Sequence, residues 1–130
     1  MSSLTERGDD DVYTDIVVDH ATNPRNVGSI ADPVVVGADG NPVYGNLVRI
    51  YLRVADDLVQ AARFKAFGCS ATIAAASMTT VLVTGATLPI ARALSAQAIE
   101  DALGGLPPEK RHCADVAAGA LQRALDALES

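Results

Sequence analysis

A chain of 130 residues is the length of one domain, and 49% hydrophobic against 20% charged residues is the balance of a chain that buries a core instead of staying disordered. A net charge of −6, with no block rich in Lys and Arg, excludes a nucleic-acid partner held through phosphate contacts. With no Trp, two Phe and three Tyr, the core must be built from Ala, Val and Leu and closely packed.

Met1 to Asp11 is polar and acidic and reads as a flexible N-terminus, with neither the basic start nor the apolar stretch of an export signal. Val12, Ile16 and His20 then recur at spacing four, with Tyr13 and Val17 beside them, which predicts a short helix with one apolar stripe. His20 on that stripe reads as a packed core histidine. Asn23-Pro24-Arg25-Asn26 ends the helix, because the residue before a proline resists helical angles. Glycines and prolines between positions 28 and 46 punctuate short extended pieces such as Val34-Val35-Val36.

From Leu47 to Val54 the period changes to two: Val48, Ile50, Leu52 and Val54 face one way, Arg49, Tyr51 and Arg53 the other. Asp56-Asp57 supplies a turn, and Leu58 to Phe67 reads as a second strand with Ala62, Phe64 and Ala66 inside. Arg49, Arg53, Arg63 and Lys65 are taken as a solvated strand face, with part of a docking surface as the alternative. Gly68 ends the strand and a helix runs from Cys69 to Thr84, closing near Gly85. No charge occurs from Ala66 to Ala91, yet a bilayer span needs about 20 strongly apolar residues, and a run of Ala, Thr, Ser and Gly reads as a buried helix. Two shorter helices follow, Thr87 to Ala93 and Ser95 to Leu103, with Ser95 as N-cap. After the interruption at 104–108, a last helix carries Val116, Ala120, Leu121, Ala124, Leu125 and Leu128 on one face. The order predicts a single α+β domain over 1–130: a small antiparallel sheet of about three strands with helices packed on one face.

Three side chains carry the candidate chemistry. Cys69 and Cys113 each fall at or near a predicted helix start, where unsatisfied N–H groups favour a thiolate, the form that binds soft metals and attacks persulfides. His112 adds a nitrogen donor, so the set is three-quarters of a tetrahedral metal site. With no export signal, a reducing cytoplasm is the expected compartment, and free thiols or metal ligands are expected over a structural disulfide. From spacing alone the alternative stands that both cysteines are small buried residues. Neighbours on a helix do not face each other, which argues against His112 acting as a base for Cys113.

Three stretches together resemble the IscU/NifU N-terminal iron–sulfur cluster assembly scaffold family, from about Tyr13 to Leu128. Asp19 to Gly28 is similar to the family's DHxxNPRNxG signature, Ala62 to Ala71 to its second cysteine segment, and Leu106 to Cys113 to its third. The resemblance implies an IscU/SufE-like α+β fold and a scaffold, not an enzyme. Such a scaffold takes sulfur from a cysteine desulfurase, holds iron or a transient [2Fe–2S] cluster, passes it to acceptor proteins, and can hold zinc on the same residues. The implied ligands here are Cys69, His112 and Cys113. The first cysteine segment, usually G-x-x-C-G-D, reads Gly40-Asn41-Pro42-Val43-Tyr44-Gly45-Asn46, so Tyr44 stands for a ligand cysteine and Asn46 for the aspartate. Both changes remove an anionic ligand: a phenol of pKa about 10 replaces a thiol, although tyrosinate can ligate iron. Glu109 stands for the valine of the L-P-P-V-K stretch that an Hsp70-type chaperone reads. The alternatives to the scaffold are a metal-free binding adaptor of the assembly system and a sulfur-relay protein carrying a persulfide on Cys69 or Cys113. No nucleic acid and no membrane is expected as partner.

Overall fold

Strand β2 (Asn46–Ala55) is the centre of the sheet because alternation gives it one apolar face: Val48, Ile50 and Leu52 are buried while Arg49 and Arg53 are exposed. β1 (Val35–Asn41) and β3 (Leu58–Phe67) pair with it antiparallel, in the order β1-β2-β3. The computed structural model describes residues 13–32 and 35–128, so the N-terminus expected to be flexible, Val12 and Val34 lie outside the described residues. Asp56 and Asp57 close the β2–β3 hairpin with φ of 57° and 64°, the left-handed pair whose twist suits a two-residue hairpin loop. Asn41 faces Asn46 at the end of the β1–β2 hairpin, which leaves residues 42–45 as its loop.

The Asn26–Gly28 segment is more than a helix stop. Gly28 N–H donates to the Phe64 carbonyl (2.8 Å) and Phe64 N–H to the Asn26 carbonyl (2.9 Å), so the segment lies along the outer edge of β3. Further along that edge, Val59 N–H donates to Ala86 O (2.9 Å) and Gly85 N–H to Val59 O (2.7 Å).

The helices are α1 (Asp15–Thr22), α2 (Ser70–Val83), α3 (Leu88–Ala93), α4 (Ala96–Ala102) and α5 (His112–Ala127). Hydroxyls cap three of them: Thr14, Thr87 and Ser95 accept from Val17, Ile90 and Ala98 N–H. α2 and α5 cover the inner face of the sheet, where Phe64, Ile50 and Leu52 meet Ala76, Val83, Ala120, Leu121, Ala124 and Leu125. α5 crosses β1 at backbone distance: a Cβ on Gly37 would stand 2.2 Å from Ala124 N and 2.4 Å from Ala120 O. A second cluster joins α1, α2, α4 and α5 through Val17, Ala74, Ala75, Ile99, Leu103, Cys113 and Ala117. α2 is thus buried on most sides, which accounts for its lack of charge; among the described residues no helix is long and apolar enough to cross a membrane.

One local expectation changes. α1 buries Val17 and His20 but leaves Ile16 42% exposed, so the apolar stripe is not the spacing-four set; His20 is nonetheless a packed core histidine, its Nδ1 2.8 Å from Ser77 Oγ. Pro108–Lys110 forms a separate 3-10 turn, and α5 begins at His112.

Candidate functional site

Gly68 turns the chain from β3 into α2. Its φ of 138° is open to glycine, and a Cβ there would stand 2.8 Å from Asn46 Cβ and 2.9 Å from Thr72 Oγ1. The start of β2 and the first turn of α2 therefore meet only because position 68 has no side chain. Cys69 follows as the N-cap residue of α2.

Cys113, buried in the first turn of α5, lies with its sulfur 3.8 Å from that of Cys69. Thr72 Oγ1 stands between them, 3.6 Å from Cys69 Sγ and 3.4 Å from Cys113 Sγ, and 3.4 Å from Asn46 Nδ2. Asn46 is itself buried and accepts from Asn41 N–H through Oδ1 at 3.0 Å. His112 brings Nε2 to 3.6 Å from Cys113 Sγ, and its ring stacks on Tyr44 with centroids 3.7 Å apart and planes 17° apart. The expectation that His112 and Cys113 point apart is thus overturned: His112 is the first residue of α5, and stacking on Tyr44 holds its ring beside Cys113.

Electrostatics divides the two thiols. Burial opposes ionisation of Cys69, yet donation from the Thr72 hydroxyl, from Thr72 and Ala71 N–H at the helix start and from Cys113 outweighs it, leaving a pKa of about 7. Burial pushes Cys113 up to about 11; the Thr72 hydroxyl opposes that, while the neighbouring Cys69 charge adds to it. Near neutrality Cys69 is therefore about half thiolate, whereas Cys113 stays a thiol. Lys110, at the end of the 3-10 turn, loses some basicity to burial but is held above its ordinary range by the acidic groups of Cys69 and Tyr13.

Tyr44, Asn46, Cys69, His112 and Cys113 thus come together at one end of the sheet. Thr72 and Lys110 belong with them and escaped the sequence reading; a threonine at the third residue of α2 and a lysine three positions before a cysteine carry no spacing signal. Among the described residues no group of three His, Cys, Asp or Glu is arranged to hold a metal ion. The contacts of Cys69 and of His112 both run to Cys113, the amide of Asn46 is engaged by Asn41 and Thr72, and the face of the Tyr44 ring by His112. Two sulfurs and one imidazole thus lie side by side without being arranged as ligands of one ion, and a tetrahedral set would need a fourth donor besides.

The family model described as "NifU-like N terminal domain" matches residues 12–130. The iron-sulfur cluster assembly scaffold protein IscU 1 of Archaeoglobus fulgidus is 47% identical over 114 residues, which is 88% of this chain and 74% of that protein. The scaffold protein IscU of Escherichia coli K12 is 38% identical over 117 residues, 87% of this chain and 91% of its own. Among solved structures, an N-terminal NifU-like protein from Brucella abortus superposes with a TM-score of 0.71 over 92% of this chain and 96% of its own, at 22% identity, a likeness of fold.

Proposed function

The chain belongs to the NifU-like N-terminal domain family of iron–sulfur cluster assembly scaffolds, and on that premise we propose that it is a scaffold with an altered site, working through Cys69, Cys113 and His112. One observation carries this reading: two thiols 44 positions apart in sequence stand 3.8 Å apart beside an imidazole. Sulfur arrives at Cys69, the more acidic and more exposed thiol. Its thiolate attacks the outer sulfur of a desulfurase cysteine persulfide, which forms the Cys69 persulfide and releases the desulfurase thiolate. Lys110 pairs with the attacking thiolate, and Cys113 remains a thiol near neutrality. Once an external thiol or other two-electron reductant has released that sulfur as sulfide and freed the Cys69 thiolate, iron and the assembled [2Fe–2S] cluster, the scaffold's cargo, bind the two sulfurs and His112, and zinc competes for the same donors. Tyr44 and Asn46 supply no anionic donor in the arrangement described, so the cargo is held by fewer anions than in a three-cysteine site and leaves more readily to an acceptor protein. Glu109, exposed beside Lys110, sets a carboxylate in the stretch where an Hsp70-type chaperone docks on other scaffolds.

A second reading, a metal-free adaptor of the assembly system, draws on the engaged Asn46 amide and the lack of a three-donor group. Anaerobic reconstitution with a desulfurase, cysteine, ferrous iron and a dithiol reductant separates the two. Wild type should form a weak visible sulfide-to-iron absorption, and Tyr44→Cys with Asn46→Asp a stronger and longer-lived one. Equal cluster in both proteins would show that Tyr44 and Asn46 are not lost ligands; no iron in either would leave the adaptor.

A further inference from the structure

A sulfur delivered to Cys69 arrives at the oxidation level of a persulfide and must take up two electrons to become sulfide. Those electrons reach it either straight from a reductant in solution or by way of a thiol of the chain. Cys113 is the thiol placed for the second route. Its sulfur is 3.8 Å from that of Cys69, already in contact, and a disulfide is about 2.0 Å long, so about 2 Å of approach joins the two. Both cysteines are free; Cys113 is fully buried and Cys69 is partly exposed.

The sulfur that is attacked decides the product. Attack on the outer sulfur moves the persulfide to Cys113 and frees Cys69. Attack on the inner one, Cys69 Sγ, links the cysteines and expels the outer sulfur. The atom in contact with Cys113 Sγ is Cys69 Sγ. A persulfide donor approaches Cys69 from its exposed side, which sets the added sulfur on the far side of Cys69 Sγ from buried Cys113. Nucleophile, inner sulfur and leaving group then stand in the order that a displacement requires. His112 Nε2, 3.6 Å from Cys113 Sγ, is placed to take the thiol proton, and Thr72 Oγ1 contacts both sulfurs at 3.6 and 3.4 Å.

We propose that Cys113 resolves the Cys69 persulfide, an inference that rests on the reading of Cys69 as the sulfur acceptor. Cys113 Sγ bonds to Cys69 Sγ as the bond from Cys69 Sγ to the outer sulfur breaks. The outer sulfur leaves with that electron pair and its own hydrogen as hydrosulfide, and the Cys113 proton passes to His112. Two electrons are thus lost by the pair of cysteine sulfurs and gained by the departing one. A dithiol reductant then opens the Cys69–Cys113 disulfide and returns both thiols. Sulfide release therefore precedes the recovery of the two sulfur donors, and iron binds after both.

The test uses the full chain, free of metal and oxygen, with a cysteine desulfurase, limiting cysteine and no other thiol. Intact masses are read after an acid quench, linked peptides by mapping, and sulfide by a colorimetric assay. Wild type should lose the mass of two hydrogens, yield a disulfide-linked pair of peptides carrying Cys69 and Cys113, and release an equal amount of sulfide. Cys113→Ser should gain the mass of one sulfur at Cys69 and release sulfide at least about a hundredfold more slowly, because a sulfur already in contact acts at an effective concentration that dissolved thiols do not reach. A wild type that keeps its persulfide on Cys69, unlinked, would overturn the proposal and leave sulfur acceptance standing. A persulfide on Cys113 would overturn it in favour of a relay, and a linked pair formed without cysteine would overturn it in favour of simple oxidation. No added sulfur in either protein, with no linked pair, would overturn the acceptor reading and the proposal together. The wild-type measurement decides by itself, so the outcome does not hang on the folding of the variant.

Discussion

Alkylation of the metal-free protein by iodoacetamide should find Cys69 long before Cys113. At pH 7 a thiol of pKa about 7 is half thiolate, whereas one at about 11 holds about one part in ten thousand of the reactive form. The less basic thiolate is intrinsically slower; with a Brønsted slope of about 0.45, the four-unit gap returns roughly sixtyfold of that advantage. Cys69 is left ahead by roughly a hundredfold, before the burial of Cys113 adds its own barrier to the reagent. The sign with pH follows from the lowered value: the Cys69 rate should fall as pH drops below about 7 and level off above about 8. Peptide mapping by mass spectrometry across that range gives both rates in one experiment. Thr72→Val removes the hydroxyl that contacts both sulfurs, so the Cys69 profile should move to higher pH. Comparable rates at the two cysteines, or a Cys69 rate still rising tenfold per pH unit at pH 8, would refute the division of the pair.

Two further variants test the frame that holds the site. Gly37→Ala places a methyl against backbone atoms of α5 that have no side-chain freedom to yield, and should cost about 1–3 kcal/mol, seen as a lower urea midpoint at unchanged slope; full stability would mean that α5 does not approach β1 at backbone distance. Arg49→Glu replaces a like-charge opposition with an attraction to Lys65 and should stabilise by about 0.2–1 kcal/mol, the gain shrinking in high salt. A loss of stability there would mean that Arg49 is held by contacts other than those described.

What could be read from the chain was what is local. The alternation in β2, the aspartate turn at 56–57 and the apolar stripe of α5 each repeat a period that neighbouring residues impose, and each is where the sequence put it. The three cysteine-segment likenesses brought Tyr44, Asn46, Cys69, His112 and Cys113 forward as one set. Hidden were the contacts made by residues with no period of their own. Thr72 matters because of what Gly68 lets approach it, Lys110 because a 3-10 turn ends beside Cys69, and Asn26–Gly28 because β3 has an edge to offer. The stacking of Tyr44 on His112 joins a hairpin loop to a helix start 68 positions later, and helical spacing alone pointed the imidazole away from its neighbour.

The hydrogen bonds of Asn26–Gly28 and Gly85–Ala86 along β3 bear on how the folded chain behaves in a crowded solution. A strand edge with free N–H and C=O groups is a template on which another chain can grow, and sheets with two open edges polymerise. Here Phe64 and Val59 have both of their main-chain groups occupied by the chain's own loops, so an incoming strand meets no continuous ladder on that side. Edge-to-edge aggregation through β3 would first require both loops to peel away. Because Asn26 also donates to Thr80 of α2 at 3.1 Å, peeling the first of them would cost a contact to the helix that carries Thr72.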